Sequence, residues 1–227
     1  MVGCSPAWPN AGQAQSCLLL EGPGHLLVDS GPGSLAALRA LEGGGWPRID
    51  AILLTHLHID HWADVLGWLW GTVTGAGKGL PAPQLWVPAA QRERFLVLAR
   101  ELGDFGLLDQ RLGVRGYPED EPFAVAGFEA LALPVAHYGM PTYGLRLEHA
   151  AAVVALSADT GPTPVLAQLA RDADLFVCEA TLADGQDEGE LRGHLSAAEA
   201  LEAHRAAGSR RLLLTHRPAE LPAPAGA

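Results

Sequence analysis

The chain has 227 residues, 48% of them hydrophobic, and carries a formal net charge of −11 with a pI near 5.2. A chain of this length can bury a sizeable core, and we expect one domain over residues 1–227. The negative charge excludes a general electrostatic attraction to nucleic acids or anionic membranes, so any anionic substrate has to be captured locally.

The cysteines and the N-terminal segment indicate the compartment. Cys4, Cys17 and Cys178 are odd in number and lack the CxxC spacing of zinc sites, which is typical of reduced thiols in a cytosolic protein. Residues 1–12 contain neither the basic nor the apolar region of a secretory signal peptide, and no apolar run approaches the ~20 residues of a membrane span. We therefore expect a soluble, cytoplasmic protein.

The first half of the chain alternates apolar runs with helical patterns. Residues 1–15 are rich in Gly, Pro, Ser, Asn and Gln and are expected to form a loop. Apolar runs bounded by turn residues predict strands over 16–21, 25–29, 49–55 and 84–87. Apolar residues spaced by three and four predict helices after residue 34, over 62–69 and over 89–102. The segment 103–121 has the composition of an acidic connection.

The most informative stretch is HLHIDH at 56–61, directly after the buried strand AILLT. Residues i and i+2 of an extended segment point the same way, so His56 and His58 can bind one cation from one side. Asp60 and His61 follow around the turn and can face a neighbouring position. Imidazole and carboxylate groups are ligands of zinc, manganese and iron, so the pattern predicts a metal site where a strand ends and a helix begins.

Asp29 follows the second predicted strand and opens the sequence DSGPGS. Two roles are compatible with this position. The carboxylate could be buried and hold the metal-binding loop by accepting hydrogen bonds from it, or it could cap the helix that follows.

The segment GTVTGAGKG at 71–79 contains a Gly-Lys pair but does not match a phosphate-binding loop. That motif, GxxxxGK[ST], needs glycine in place of Thr72 and a hydroxyl residue in place of Gly79. We expect a mobile loop beside the active site rather than a plain connection.

The second half of the chain is rich in strands whose ends carry polar residues. Apolar runs predict strands over 123–127, 128–135, 142–149, 151–157, 174–179 and 211–215. A helix is predicted over 197–207, with Ser196 as its cap and Glu199 at the capping-box position. His137, Asp159 and His216 each follow a predicted strand. The tail from about 220 to 227 is expected to be flexible.

The HxHxDH string, with His137, Asp159 and His216 in this order, resembles the metallo-β-lactamase-fold hydrolases, and the likeness extends over nearly the whole chain. The resemblance implies an α/β fold built as a four-layer αββα sandwich, with helices outside and two sheets inside. It also implies two divalent metal ions as cofactors, with zinc expected first and manganese or iron as alternatives.

The resemblance also assigns the ligands. Seven residues match the family's two metal sites and its bridging carboxylate: His56, His58 and His137 at the first site, Asp60, His61 and His216 at the second, and Asp159 between the ions. Two metals ~3.5–4 Å apart polarise a substrate and generate hydroxide at neutral pH. Asp60 is expected to orient that water as well.

A second pattern indicates which branch of this family the chain resembles. The sequence EAT at 179–181, followed by GHLS at 193–196 ahead of a helix, resembles ribonuclease Z and related phosphodiesterases. In that branch a residue in the place of His194, near a partner such as Glu179, stabilises the transition state or protonates the leaving oxygen. The alternative is a loop histidine near a helix start. The sequence DSGPGS at 29–34 is similar to bacterial phosphodiesterases with small substrates, including ones that act on cyclic nucleotides.

We therefore predict a metal-dependent phosphodiesterase acting on a small phosphodiester. Ribonuclease Z-like tRNA 3′ processing is less favoured, because the long arm that such enzymes commonly insert would fall between His137 and Asp159, where only 21 residues stand. Further alternatives are a thioester or lactone hydrolase and a non-hydrolytic di-metal redox or binding protein. The apolar, Trp-rich helix after the metal motif, and dimers among the relatives, predict a homodimer.

Overall fold

The computed structural model describes residues 1–186, 188–189 and 191–222. The chain forms two compact units, which are Met1–Pro118 with Val125–Gly127 (unit 1) and Glu119–Ala124 with Phe128–Ala227 (unit 2). Residues 223–227 of the tail predicted to be flexible lie outside the described residues. No helix in the described part of the chain is long and apolar enough to cross a membrane.

The strands of unit 1 form two sheets. In chain order they are β1 (Gly3–Ser5), β2 (Ala14–Gln15), β3 (Leu18–Glu21), β4 (His25–Val28), β5 (Ala51–Leu53), β6 (Gln84–Pro88) and β7 (Arg115–Tyr117). The main sheet has the order β3-β4-β5-β6-β7, in which only the β3–β4 hairpin is antiparallel. β1 and β2 form a separate parallel pair, so part of the segment predicted to be a loop is paired.

The helices of unit 1 are α1 (Ser34–Leu41), α2 (Ile59–Trp62), α3 (Val65–Val73), α4 (Arg92–Glu101) and α5 (Leu107–Leu112). The helix predicted after the metal motif is therefore divided into α2 and α3. The helix predicted over 89–102 begins as a 3-10 turn at Ala89–Gln91 before α4. The segment predicted to be a connection over 103–121 contains α5 and β7, so that expectation was wrong.

β4 and β5 lie in the centre of the unit 1 sheet, and their apolar side chains are buried on both faces, as is usual for parallel strands covered by helices. The tryptophans around α2 and α3 contribute to this core. Trp62 packs edge-to-face on Phe95, with ring centroids 5.2 Å apart, and Trp68 packs in the same way on Trp46 at 5.3 Å. Trp62 and Trp68 are core residues, whereas Trp70 is 39% exposed.

Two of the glycines in segment 71–79 are required by packing against Trp46. A Cβ at Gly71 would lie 1.8 Å from Cη2 of Trp46, and a Cβ at Gly77 would lie 2.4 Å from Cε2 of the same ring. No side chain larger than hydrogen fits at either position. The Trp46 indole therefore explains these glycines, and the mobility predicted for this loop stays a prediction.

Unit 2 is built around one mixed sheet. Its strands are β8 (Phe123–Val125), β9 (Phe128–Pro134), β10 (Tyr143–His149), β11 (Ala152–Leu156), β12 (Leu175–Glu179) and β13 (Leu212–Thr215). They are ordered β13-β12-β11-β10-β9-β8, with antiparallel pairing in β9–β10–β11 and parallel pairing in β11–β12–β13. Because β11, β12 and β13 are parallel, their carboxyl ends lie along the same edge of the sheet.

The helices of unit 2 are α6 (Val165–Leu169) and α7 (Ala197–Ala207). The predicted capping box is present: Ser196 Oγ accepts from Glu199 N, and Glu199 Oε2 accepts from Ser196 N at 2.8 Å. The box fixes the start of α7 and therefore the end of the loop that carries His194. Mixed sheets with helices in both units confirm the α/β class predicted from the sequence.

Candidate metal centre

The predicted ligands of unit 1 lie where β5 ends and α2 begins. His56, Asp60 and His61 are buried and His58 is half-buried, and His58 has extended backbone dihedrals immediately before α2. Nε2 of His56 lies 3.2 Å from Nδ1 of His58, and Nε2 of His61 lies 3.5 Å from Oδ2 of Asp60. The motif thus brings together four side chains of unit 1 that could bind a metal ion.

Asp29 holds this loop in place. Its carboxylate accepts hydrogen bonds from the backbone N–H of Thr55 at 2.8 Å and from Thr55 Oγ1 at 2.9 Å. It also lies 2.7 Å from Nδ1 of His61. The residue that precedes α1 is Gly33, so Asp29 does not cap that helix. The first of the two roles considered for Asp29, a buried carboxylate that holds the metal-binding loop, is confirmed.

The predicted ligands of unit 2 converge on one carboxylate. His137 follows β9, Asp159 follows β11 and His216 directly follows β13, and all three are buried. Nε2 of His216 lies 3.4 Å from Oδ2 of Asp159, and Nε2 of His137 lies 4.0 Å from the same oxygen. Two imidazole nitrogens of unit 2 therefore lie within 4.0 Å of one carboxylate oxygen, and both kinds of group are ligands of divalent metals.

The hydrogen bonds of the Nδ1 atoms of these histidines indicate whether the side chains suit metal ions. Nδ1 of His137 lies 2.8 Å from the Gly193 carbonyl oxygen, which can only accept, so Nδ1 carries the proton and Nε2 keeps its lone pair. Nδ1 of His216 lies 2.8 Å from Thr181 Oγ1. Metal-ligating histidines almost always have their second nitrogen held in this way. The residues present therefore fit divalent metal ions.

The backbone is strained next to the unit 2 ligands. His216 itself has φ 52°, Tyr138 beside His137 has φ 45° and Ala158 beside Asp159 has φ 53°. Non-glycine residues rarely adopt this left-handed region, and such strain concentrates at functional sites. The polar side chains at three strand ends of unit 2 are therefore positioned by backbone conformations that cost free energy.

Glu179 and His194 form the predicted pair in unit 2. Oε1 of Glu179, the last residue of β12, lies 2.8 Å from Nδ1 of His194 and accepts from the backbone N–H of Thr160 at 2.9 Å. Its other oxygen accepts from the backbone N–H and the hydroxyl of Thr181. The His194 ring is stacked on His216, with centroids 5.5 Å apart. His194 is thus a fixed imidazole beside a predicted metal ligand, not an unconstrained loop histidine.

The electrostatic surroundings favour the protonated form of His194. Burial lowers the pKa of this imidazole, but the hydrogen bond and charge of Glu179, with the charges of Asp159 and Glu188, outweigh it and raise the pKa to about 9. Bound cations act in the opposite direction. The carboxylate partner also fixes the proton on Nδ1, so Nε2 is the atom that can face a substrate.

Sequence reasoning missed the partners that orient the ligands. Thr55 Oγ1 lies 3.0 Å from Nδ1 of His56, Thr181 holds His216, and the Gly193 carbonyl holds His137. Each threonine stands at or just after the end of a buried strand, as Asp29 does. A hydroxyl at a strand end next to predicted ligands is the sequence signal that would have identified both.

Comparison with known proteins identifies a matching family model and several relatives. Residues 25–217 match the family model described as a beta-lactamase superfamily domain. The chain is 29% identical to the probable metallo-hydrolase YhfI of Bacillus subtilis, over 96% of this chain and 86% of that protein. It is also 29% identical to a ribonuclease Z of Myxococcus xanthus, over 95% and 85% of the two chains.

Solved structures show the same fold. The crystal structure of YhfI, a metallo-beta-lactamase fold protein, superimposes with a TM-score of 0.80 at 26% identity, over 97% of this chain and 86% of that chain. The short form of human tRNase Z superimposes with a TM-score of 0.73 at 22% identity, over 95% and 91%. The metallo-β-lactamase fold predicted from the sequence is therefore confirmed.

Proposed function

Because the chain belongs to the metallo-β-lactamase superfamily, as a metal-dependent hydrolase of its ribonuclease Z and phosphodiesterase branch, we propose that it hydrolyses a small phosphodiester. Cyclic nucleotides are included in this class. The observation that carries the proposal is the contact of 2.8 Å between Nδ1 of His194 and Oε1 of Glu179, at a ring stacked on His216. This contact supports a role for His194 as a proton donor, because a carboxylate holds Nδ1 of a ring that is stacked on a predicted ligand.

The proposed centre binds divalent metal ions. As the family resemblance implies, the four predicted ligands of the metal motif would hold such ions, and so would His137, Asp159 and His216 of unit 2. When bound, such ions would polarise the phosphoryl group and supply a nucleophile at neutral pH. Asp60, which is buried in α2, would orient the attacking water.

His194 acts on the leaving group in this proposal. As the P–O bond breaks, the departing oxygen takes the proton from Nε2 of His194, while Glu179 keeps Nδ1–H in place. An alkoxide needs this proton, because it is a poor leaving group at neutral pH. A thiolate, with a thiol pKa near 8.5, gains little from a proton donor. The pair therefore favours an oxygen ester of phosphate over a thioester, and a lactone remains the alternative.

Ribonuclease Z activity is the second candidate, because proteins of that name are among the relatives. Two features of this chain disfavour it. The 21 residues between His137 and Asp159 are largely taken up by β10 and β11, which leaves no room there for a long tRNA-binding arm. The net charge of −11 weakens the attraction to RNA phosphates.

We expect the metal-loaded protein to hydrolyse bis(p-nitrophenyl) phosphate and to remove precursor-tRNA trailers poorly, because it lacks the arm at this position and is acidic. Initial rates from nitrophenolate absorbance and from a denaturing gel measure the two activities. Chromogenic thioester and lactone substrates serve as controls. Efficient trailer removal without diester activity would favour ribonuclease Z instead, and faster thioester or lactone turnover would move the protein to those classes.

We also expect close to two equivalents of a divalent metal per chain, because seven ligands are too many for one tetrahedral ion. Elemental analysis after metal-saturated purification measures the ratio. A free metal concentration of 100 times the Kd would stabilise the native state by ~2.7 kcal/mol, which raises Tm by roughly 5–10 °C in a chain of this size. A ratio that stays near zero on adding metal, with no change in Tm, would contradict the proposed centre.

A further inference from the structure

A cavity of about 450 Å³ lies in unit 2 next to the predicted ligand His137. Its walls are mainly apolar and include Val135, Tyr138, Met140, Pro141 and Leu191. Tyr138 and Leu191 are large side chains that remain 44% and 72% exposed. Exposed apolar side chains grouped at a cavity mouth are typical of a ligand site.

The Tyr138 ring is held in a fixed position. Its hydroxyl donates a hydrogen bond to Oε1 of Glu188, and the other oxygen of Glu188 accepts from the backbone N–H groups of Gly193 and His194, both at 3.1 Å. Tyr138 also has a left-handed backbone, with φ 45°. A Cβ at Gly193 would lie 2.4 Å from Cε2 of this ring, so only glycine leaves room for it.

The ring lies directly beside the groups proposed to act in hydrolysis. Its centroid is 4.9 Å from that of His137 and 5.4 Å from that of His194. Arg192 is the charged residue of the described cavity wall. Its guanidinium donates hydrogen bonds to the His194 carbonyl at 3.2 Å and to Glu199 at 2.5 Å. The cavity wall therefore contains an aromatic side chain and apolar residues next to the groups proposed to act in hydrolysis.

We propose that this cavity is the subsite for a planar aromatic group of the substrate, such as a nucleobase or an aryl ester, stacked on Tyr138. The inference rests on the proposed phosphodiesterase function and specifies its substrate class. Stacking suits a ring that Glu188 and Gly193 already hold, because little side-chain freedom is lost on binding. The phosphodiester supplies the charge, and the cavity recognises the uncharged ring attached to it.

Two diesters of similar size separate stacking from simple hydrophobic binding. Diphenyl phosphate and dicyclohexyl phosphate are both monoanions, but only the first carries planar rings. Both have poor leaving groups, so each can be measured as a competitive inhibitor of bis(p-nitrophenyl) phosphate turnover by the metal-loaded protein. We expect diphenyl phosphate to bind about tenfold more tightly, within the range of aromatic stacking on a protein side chain.

Variants of Tyr138 test whether its ring causes the preference for diphenyl phosphate. Tyr138→Leu keeps apolar bulk but removes the aromatic face, so the tenfold preference should disappear, whereas Tyr138→Phe should keep most of it. Phe105→Leu is the matched control, because Phe105 is an exposed aromatic residue of unit 1 and its loss should leave the preference unchanged. Metal content, measured for each variant, separates an effect on the subsite from damage to the neighbouring His137.

The outcomes distinguish the subsite from the function. If diesters are hydrolysed but Tyr138→Leu with full metal content keeps the aryl preference, or the wild type shows none, the subsite is refuted and the function stands. If no diester is hydrolysed, the function is refuted. The subsite is then judged by calorimetric titration with the same two diesters, where a Tyr138-dependent aryl preference supports it and equal binding refutes it.

Discussion

Asp159→Asn protein is expected to lose metal and to lose activity on every substrate. The Asp159 carboxylate is buried, and Nε2 atoms of His137 and His216 lie 4.0 Å and 3.4 Å from the same Oδ2. The amide keeps the shape of the side chain but removes the charge that both ions would share. Losing an outer partner of a ligand costs 10–100-fold in affinity or activity, so loss of the bridging ligand should exceed about 100-fold.

Elemental analysis and initial rates on a diester, a thioester and a lactone measure this effect. Asp120→Asn is the matched control, because Asp120 is exposed in unit 2 and its left-handed backbone, with φ 57°, is one that asparagine accepts. The control should keep two equivalents of metal and full activity. An Asp159→Asn protein with two equivalents and normal rates would show that Asp159 is not a ligand.

The candidate ligands could be named from the sequence because their signal is local. A polar residue at the end of an apolar strand is visible without knowledge of the fold, and the HxHxDH spacing made the match specific. The role of Asp29 could not be decided in this way. Its carboxylate contacts Thr55 and His61 from a left-handed backbone with φ 60°. The local sequence DSGPGS predicts neither this conformation nor these contacts.

Short elements and long-range contacts were beyond sequence reasoning for different reasons. α5 has six residues and β7 has three, which is too short for periodicity to be distinguished from an irregular connection. β1 has three residues and β2 has two, and both contain mostly small or polar residues. The hydrogen bond from Tyr138 to Glu188 joins residues 50 positions apart, and only the fold of unit 2 brings them together.

His194→Ala protein is expected to keep both metal ions and to lose about 10²–10⁴-fold in turnover of a diester with an alkoxide leaving group, the usual contribution of general acid catalysis. The reason is that the alanine variant has no proton donor for the departing oxygen. Steady-state kinetics and metal content together measure the effect. His204→Ala is the matched control, because His204 lies in α7 and bonds to Ser209, away from the predicted ligands of unit 2.

The leaving group separates proton donation from a structural role of the imidazole. Nitrophenolate departs without a proton, so the loss in His194→Ala should shrink on a nitrophenyl diester, whereas damage to the site would slow both substrates equally. Glu179→Gln should show the same dependence more weakly, because it removes the charge that holds Nδ1–H but leaves the imidazole present. An unchanged rate of His194→Ala on the alkoxide-leaving diester would falsify the assignment, and His194 would then be a histidine that only packs against His216.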